Sequence, residues 1–342
     1  MSSKTSFIFF FSLLLSACTT EPAPQVLSRP YPYPEHNPPT APGIALGRRL
    51  FYDPGLSAGG TVSCASCHQQ ERAFSDGQSL STLGVTGKAL ARHTPGLSHV
   101  AWSPTLFWDG GVRNLESLSF APLSHPDEMG RDLREMVAAL QADASYREDF
   151  RQAFGADSIT AAGVGRALAQ FCREIYSADS SRDRYKRGED SLSAKALQGE
   201  KLLAQHCSPC HSGERFSDDS FHNNGLDSFP LPPGPDQTLL GRYRISYDSA
   251  DIGKFKTPGL RNLAFTAPYM HDGRFGSLQE VIHHYRFGMQ DSPTLDSAFR
   301  RKPDKTGLAL SDEEADAILA FLATLNDSTL LQRQDLGPPL IK

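Results

Sequence analysis

Cys64-Ala65-Ser66-Cys67-His68 (CASCH) and Cys207-Ser208-Pro209-Cys210-His211 (CSPCH) are two copies of C-x-x-C-H whose first cysteines lie 143 residues apart. Two thiols three positions apart can add to the two vinyl groups of one haem, and the histidine that follows then lies under the iron as its proximal ligand. One copy alone could be a zinc or redox motif. Two copies, each with a histidine directly after the second cysteine, argue against a zinc site and against disulfides. The expected cofactors are two covalently bound haem c groups, attached through Cys64, Cys67, Cys207 and Cys210, with His68 and His211 as iron ligands.

Each motif follows a short apolar pattern of helical spacing. Ile44, Leu46, Leu50 and Phe51 precede the first, and Leu197, Leu202 and Leu203 the second. Leu133, Met136, Val137 and Leu140 form a further stripe, and Val164, Leu168, Phe171, Cys172 and Ile175 another. Ser311, with Glu314 three residues on, predicts a capping box opening the helix SDEEADAILAFLATL. No strand-rich region is visible. The expected class is all-α and loop-rich, with two cytochrome c-like domains in tandem, residues 43–185 and 186–342, each around one haem. Cys172, on an apolar helical face, reads as a small buried hydrophobe.

The 342 residues suit two ordinary domains. Hydrophobic residues make up 39% and charged residues 21%, both near globular averages. The net charge is −5 with Lys and Arg scattered along the chain, which argues against a nucleic-acid partner. Residues 1–17 carry Lys4, then the apolar run Phe7 to Leu15, then Ser16 and Ala17, the pattern of a secretory signal. LSAC looks like a lipoprotein cleavage box that makes Cys18 a lipidated first residue, and Thr19 after it favours an outer-membrane anchor. Residues 19–42 hold eight of the 24 prolines and predict an extended tether that reaches about 70 Å at about 3.1 Å per residue. The expected location is the periplasm of a Gram-negative bacterium, on the outer membrane.

Beyond the haem motifs the chain carries FSDGQSLSTLGVTG, RHTPGLSHVAW, LFWDGG, APLSHPDEMG, RFSDDSFHNNG and TPGLRNLAFTAPYMHDGRFGSLQEVIHHY. Jointly these segments, over residues 43–325, resemble the bacterial dihaem cytochrome c peroxidase family, which includes the MauG-type enzymes. The resemblance implies that the N-terminal haem meets hydrogen peroxide and the C-terminal haem handles electrons. Val85 matches a position where many members carry a histidine that closes the first iron's free face. Valine cannot ligate, so an open sixth site is expected, with His93 the residue that could swing in. Glu128 matches the distal glutamate that moves protons during peroxide cleavage. Leu118 replaces a pocket glutamine, and His125 could restore polarity there. Trp108 matches a tryptophan between the two haems, while Trp102 has no such match.

At the second haem, Tyr285 matches the sixth ligand of MauG-type enzymes, where other peroxidases use methionine. Met289, water, His283 and His284 stay open as alternatives. His271 matches a histidine near the same haem. The resemblance also implies calcium between the domains. Thr266 and Pro268 match its carbonyl ligands, but His93 stands where an asparagine would donate oxygen, and imidazole is a poor ligand for this hard cation. Calcium is thus absent or held mostly by water.

Three functions fit. The first is a peroxidase reducing hydrogen peroxide to water with electrons from a cytochrome c or cupredoxin. The second is a MauG-like oxidase that uses peroxide to oxidise a protein substrate, and the third a non-enzymatic dihaem electron carrier, against which Glu128 speaks.

Overall fold

A computed structural model describes residues 33–228, 238–302 and 305–339. The expected signal, Cys18 and most of the tether lie outside the described residues.

The helices form where the apolar stripes predict them. Helix α1 (Ala41–Tyr52) opens with Thr40, whose side chain accepts from the Gly43 amide, and buries Leu46, Leu50 and Phe51. After it come α2 (Leu133–Ala142), α3 (Ala144–Phe154) and α4 (Ala161–Arg173). Helix α5 (Ala194–His206) leads into the second haem motif, and α6 (Leu278–His283) is followed by a π-helical turn, His284–Gly288. The capping box of Ser311 and Glu314 opens α7 (Asp312–Ala323). Ile175, expected within a stripe, lies just past the end of α4 but is buried.

Sheet is minimal among the described residues. Strands β1 (Phe221–His222) and β2 (Phe255–Lys256) pair antiparallel, as do β3 (Arg300–Lys302) and β4 (Lys305–Thr306).

Two hydrophobic cores organise the chain by the same device. In the first, α1 crosses α4 with Gly47 against the Ala167 carbonyl and the Phe171 side chain. In the second, α5 crosses α7 with Gly199 against the Ala317 carbonyl and the Phe321 side chain. A Cβ on either glycine would fall well inside contact distance of a backbone carbonyl. Each crossing thus needs a glycine in the helix that precedes a C-x-x-C-H motif, α5 running directly into its motif and α1 ending at Tyr52, ahead of Cys64.

Two segments depart from simple tandem order. The chain past α7 returns to the first core, burying Leu330 and Leu336 there, while the Gln70 side-chain amide donates to the carbonyls of Leu330 and Arg333. Residues 33–42, expected to belong to an extended tether, instead dock and begin α1. Tyr33 bonds Glu174, and Asn37 is 2% exposed, donating to Glu116 (2.8 Å) and the Arg166 carbonyl and accepting from Gln170. A buried amide needs its hydrogen bonds met, and these distant partners supply them.

Gly47→Ala and Gly199→Ala test the crossings. Glycine to alanine in a helix ordinarily stabilises, whereas overpacking costs about 1–3 kcal/mol. Each substitution should lower the thermal unfolding midpoint of the haem-loaded protein; an unchanged or raised midpoint contradicts the close approach.

Candidate functional site

One cavity of about 1080 Å³ is lined by both motifs: Cys64, Cys67 and His68 from the first, Cys207, Cys210 and His211 from the second. The two histidines are held alike. His68 Nδ1 meets the Phe74 carbonyl at 2.8 Å, and His211 Nδ1 meets that of Phe216 at 2.9 Å. Phe74 (φ 64°) and Phe216 (φ 56°) both adopt the left-handed backbone that turns these carbonyls inward. Such a conformation costs a bulky residue about 1–3 kcal/mol and persists where the surroundings demand it. Burial pulls both imidazoles below their ordinary pKa, so each is neutral. Nδ1 is then the N–H donor, and Nε2 keeps its lone pair for a metal.

The support behind each histidine repeats as well. The Ser75 hydroxyl donates to the Thr94 carbonyl, and the Ser217 hydroxyl to the Thr257 carbonyl, both at 2.8 Å. These residues sit in two short repeats, Phe74-Ser75-Asp76 with Thr94-Pro95-Gly96-Leu97, and Phe216-Ser217-Asp218 with Thr257-Pro258-Gly259-Leu260. The duplication is present in the sequence, but the hydrogen bonds are what give it meaning.

Across the cavity the two halves differ. Beside the first motif stands Glu128, its carboxyl raised by burial and only partly offset by His125, whose Nδ1 is 3.8 Å away. Leu118 lines the wall there and is apolar. Val85 packs on the first core instead of lining the cavity, and its amide donates to the Glu128 carbonyl at 2.8 Å. His93 does line the cavity, but its ring is engaged, with Nδ1 2.8 Å from the Gln78 carbonyl.

On the second side Tyr285 projects into the cavity from the π-helical turn, a conformation often found at functional sites. Burial pushes its phenol up to about 12, and Asn224 Nδ2 reaches the hydroxyl at 3.4 Å. The rival ligands do not line the cavity. Met289 is buried with Leu295 and Phe299, and His284 Nε2 pairs with the Asn224 carbonyl, while His283 is exposed with its ring tilted against Phe287. Two residues without an expected role do enter this part of the wall, Asn224 and Met270. His222, also in the wall, is clamped between Asp218 (2.8 Å) and Asp296 (2.6 Å). Non-local contacts define all three, and no local pattern marks them.

Trp108 ties the halves together. Its indole N–H donates to the His93 carbonyl, and its own carbonyl accepts from Lys256 of β2, both at 2.9 Å. The His93 amide in turn donates to the His271 carbonyl. The His271 ring stacks on Phe255 at 3.5 Å and 8°, and its buried Nε2 has no partner among the described residues. Cys172 is buried near Leu106, Leu115 and Ala169, as a small hydrophobe would be.

These features fit haem. Paired thiols precede each neutral histidine in the wall, and His271, whose buried Nε2 is orphaned among the described residues, also belongs to the lining. Arg92, Arg215, Arg244 and Lys256 also line it, of the charge that the carboxylates of haem call for, whereas Arg261 is taken up by the buried Asp183.

The chain is similar to known proteins over most of its length. Residues 41–191 match the family model for di-haem cytochrome c peroxidase. The methylamine utilization protein MauG of Methylorubrum extorquens is 39% identical over 300 residues, spanning 86% of this chain and 81% of that protein. Cytochrome-c peroxidase IdrP1 of Denitromonas iodatirespirans is 32% identical, over 90% of this chain and 87% of the relative. Among solved structures, a MauG-like protein associated with microbial copper homeostasis superposes with a TM-score of 0.82 at 35% identity, covering 93% of this chain and 99% of that one.

Replacing Cys64 and Cys67 together with Ala should leave one covalently bound haem per chain in a pyridine haemochrome assay, against two in the parent. Two haems in the variant would contradict the assignment.

Proposed function

Because the chain belongs to the di-haem cytochrome c peroxidase family, MauG proteins included, we propose that it reduces hydrogen peroxide to water at the first half of the cavity, with electrons entering through the second. Two haem c groups would be held by the four motif cysteines with His68 and His211 as iron ligands, and would supply centres that change charge one electron at a time. The observation that carries the reading is Glu128, a half-buried carboxyl in the wall beside the first motif, its side chain 34% exposed. A carboxylate there takes the proton from the near oxygen of peroxide and returns it to the departing one. Its raised pKa brings it closer to the working pH, where one group exchanges protons in both directions best. Val85, drawn back onto the Glu128 loop, leaves that face clear for peroxide.

Trp108 offers an oxidisable ring in the wall where the two halves meet, fixed at both its indole and its backbone. The donor is a small redox protein, a cytochrome c or cupredoxin, in the periplasm, where the leader and Cys18 direct the chain and anchor it to the outer membrane. The two halves divide near residue 185, each around one haem, except that the segment past α7 with Leu330 and Leu336 belongs to the first. Calcium is not needed to hold them, since the hydrogen bonds of His93 already link its loop to Gln78, Trp108 and His271.

Tyr285 favours a second reading. A phenolate ligand lowers the potential of an iron and favours holding oxidising equivalents over accepting electrons, which suits a MauG-like oxidase acting on a protein substrate. Peroxide turnover with reduced cytochrome c as donor separates the two: rapid turnover supports the peroxidase, and a peroxide-induced spectral change without turnover supports the oxidase.

The pH dependence follows from Glu128. Its proton-accepting form is the carboxylate, so the rate should fall as pH drops through a pKa lying above the ordinary value of about 4.3. Glu128→Gln should remove that limb and slow peroxide consumption about 100- to 10,000-fold. A variant that keeps both rate and limb would contradict the role.

A further inference from the structure

Asn224 stands between two side chains able to donate to iron. Its amide nitrogen lies 3.4 Å from the Tyr285 hydroxyl and 3.7 Å from Met270 Sδ. All three residues line the cavity with His211. The Asn224 carbonyl is fixed by His284 Nε2 at 2.9 Å, so the amide that touches both donors belongs to an anchored residue. Met270 has φ 75°, an unusual conformation for a methionine, in the turn between Tyr269 and Phe275. That turn also carries His271, which lines the same cavity.

We propose that Met270 is a reserve ligand for the second haem iron, held beside Tyr285 by Asn224 and exchanged with it on reduction. The proposal rests on reading Tyr285 as the ligand of the oxidised state. An anionic phenolate suits ferric iron, whereas a soft, neutral thioether suits ferrous iron. One electron from the redox partner reduces the iron. The bond to Tyr285 Oη then breaks, the phenolate takes a proton from solvent, and a Met270 Sδ lone pair makes the new bond. Methionine has three rotatable side-chain bonds, so Sδ can shift without backbone movement. Asn224 bridges both arrangements, since its amide donates to whichever partner is off the iron. Thioether ligation raises the potential and phenolate lowers it. One site would thereby alternate between holding oxidising equivalents and accepting electrons, the two behaviours that separate the peroxidase and MauG-like readings.

The test compares the haem-loaded full chain with Tyr285→Phe, Met270→Leu and the double variant, by redox titration and by the far-red charge-transfer absorption of a thioether-bound ferric haem. Leucine nearly matches methionine in volume, so folding should be retained. Tyr285→Phe should gain the thioether band and a higher second-haem potential, and the double variant should lose both. Met270→Leu alone should leave the oxidised spectrum unchanged but lower the reduction potential. Identical spectra for Tyr285→Phe and the double variant would overturn the proposal. If Tyr285→Phe matches the parent, the tyrosine reading itself fails. Met270→Leu then decides the methionine: a thioether band present in the parent and lost in that variant makes Met270 the resident ligand and overturns the exchange, and no change removes Met270 as a ligand altogether.

Discussion

Each half of the molecule turns on one hydrogen bond, from a histidine Nδ1 to the carbonyl of a phenylalanine held at positive φ. The bond selects the tautomer and the direction of the ring, and therefore where a metal can sit. Much of the surrounding structure serves it. The serine behind each phenylalanine pins the Thr-Pro-Gly-Leu segment, and the glycine crossings place the helix that precedes each cysteine pair. The strained phenylalanines show that the geometry is enforced, since either would relax to negative φ if its carbonyl were not required.

On this duplicated support the opposite walls have diverged. The first half presents a half-buried carboxyl beside His125 and Leu118, and the second a tyrosine held by an asparagine and a methionine. A carboxyl suits proton movement and a phenol suits ligation, so the same scaffold serves two chemistries. Trp108 and His93 join the two sides through main-chain and indole hydrogen bonds, which keep their positions independent of side-chain ionisation.

Features governed by local spacing were legible in the sequence. The C-x-x-C-H pair, the stripes of α1, α4 and α5, and the capping box of Ser311 and Glu314 all formed where spacing put them. Tyr285 could be chosen from its neighbours only by resemblance. The π-helical turn gives the physical reason, because it aims Tyr285 inward and ends before Met289, which turns away in extended backbone. Residues 33–42 read as tether because proline content says nothing of Glu116 and Gln170, the distant partners that bury Asn37. Asn224 and Met270 were equally opaque, since their meeting depends on a turn and a strand end separated by 46 residues. The repeated Phe-Ser-Asp and Thr-Pro-Gly-Leu segments were visible, yet too short to carry meaning until their hydrogen bonds were seen.

The unlike distal walls of two like half-sites are tested most directly by low-temperature electron paramagnetic resonance of the fully oxidised, haem-loaded chain. An open face beside Glu128 and a tyrosine-closed face beside His211 should yield one high-spin and one low-spin ferric signal in equal amounts. Low-spin signals alone would mean that a protein side chain closes the first iron, and would contradict that asymmetry.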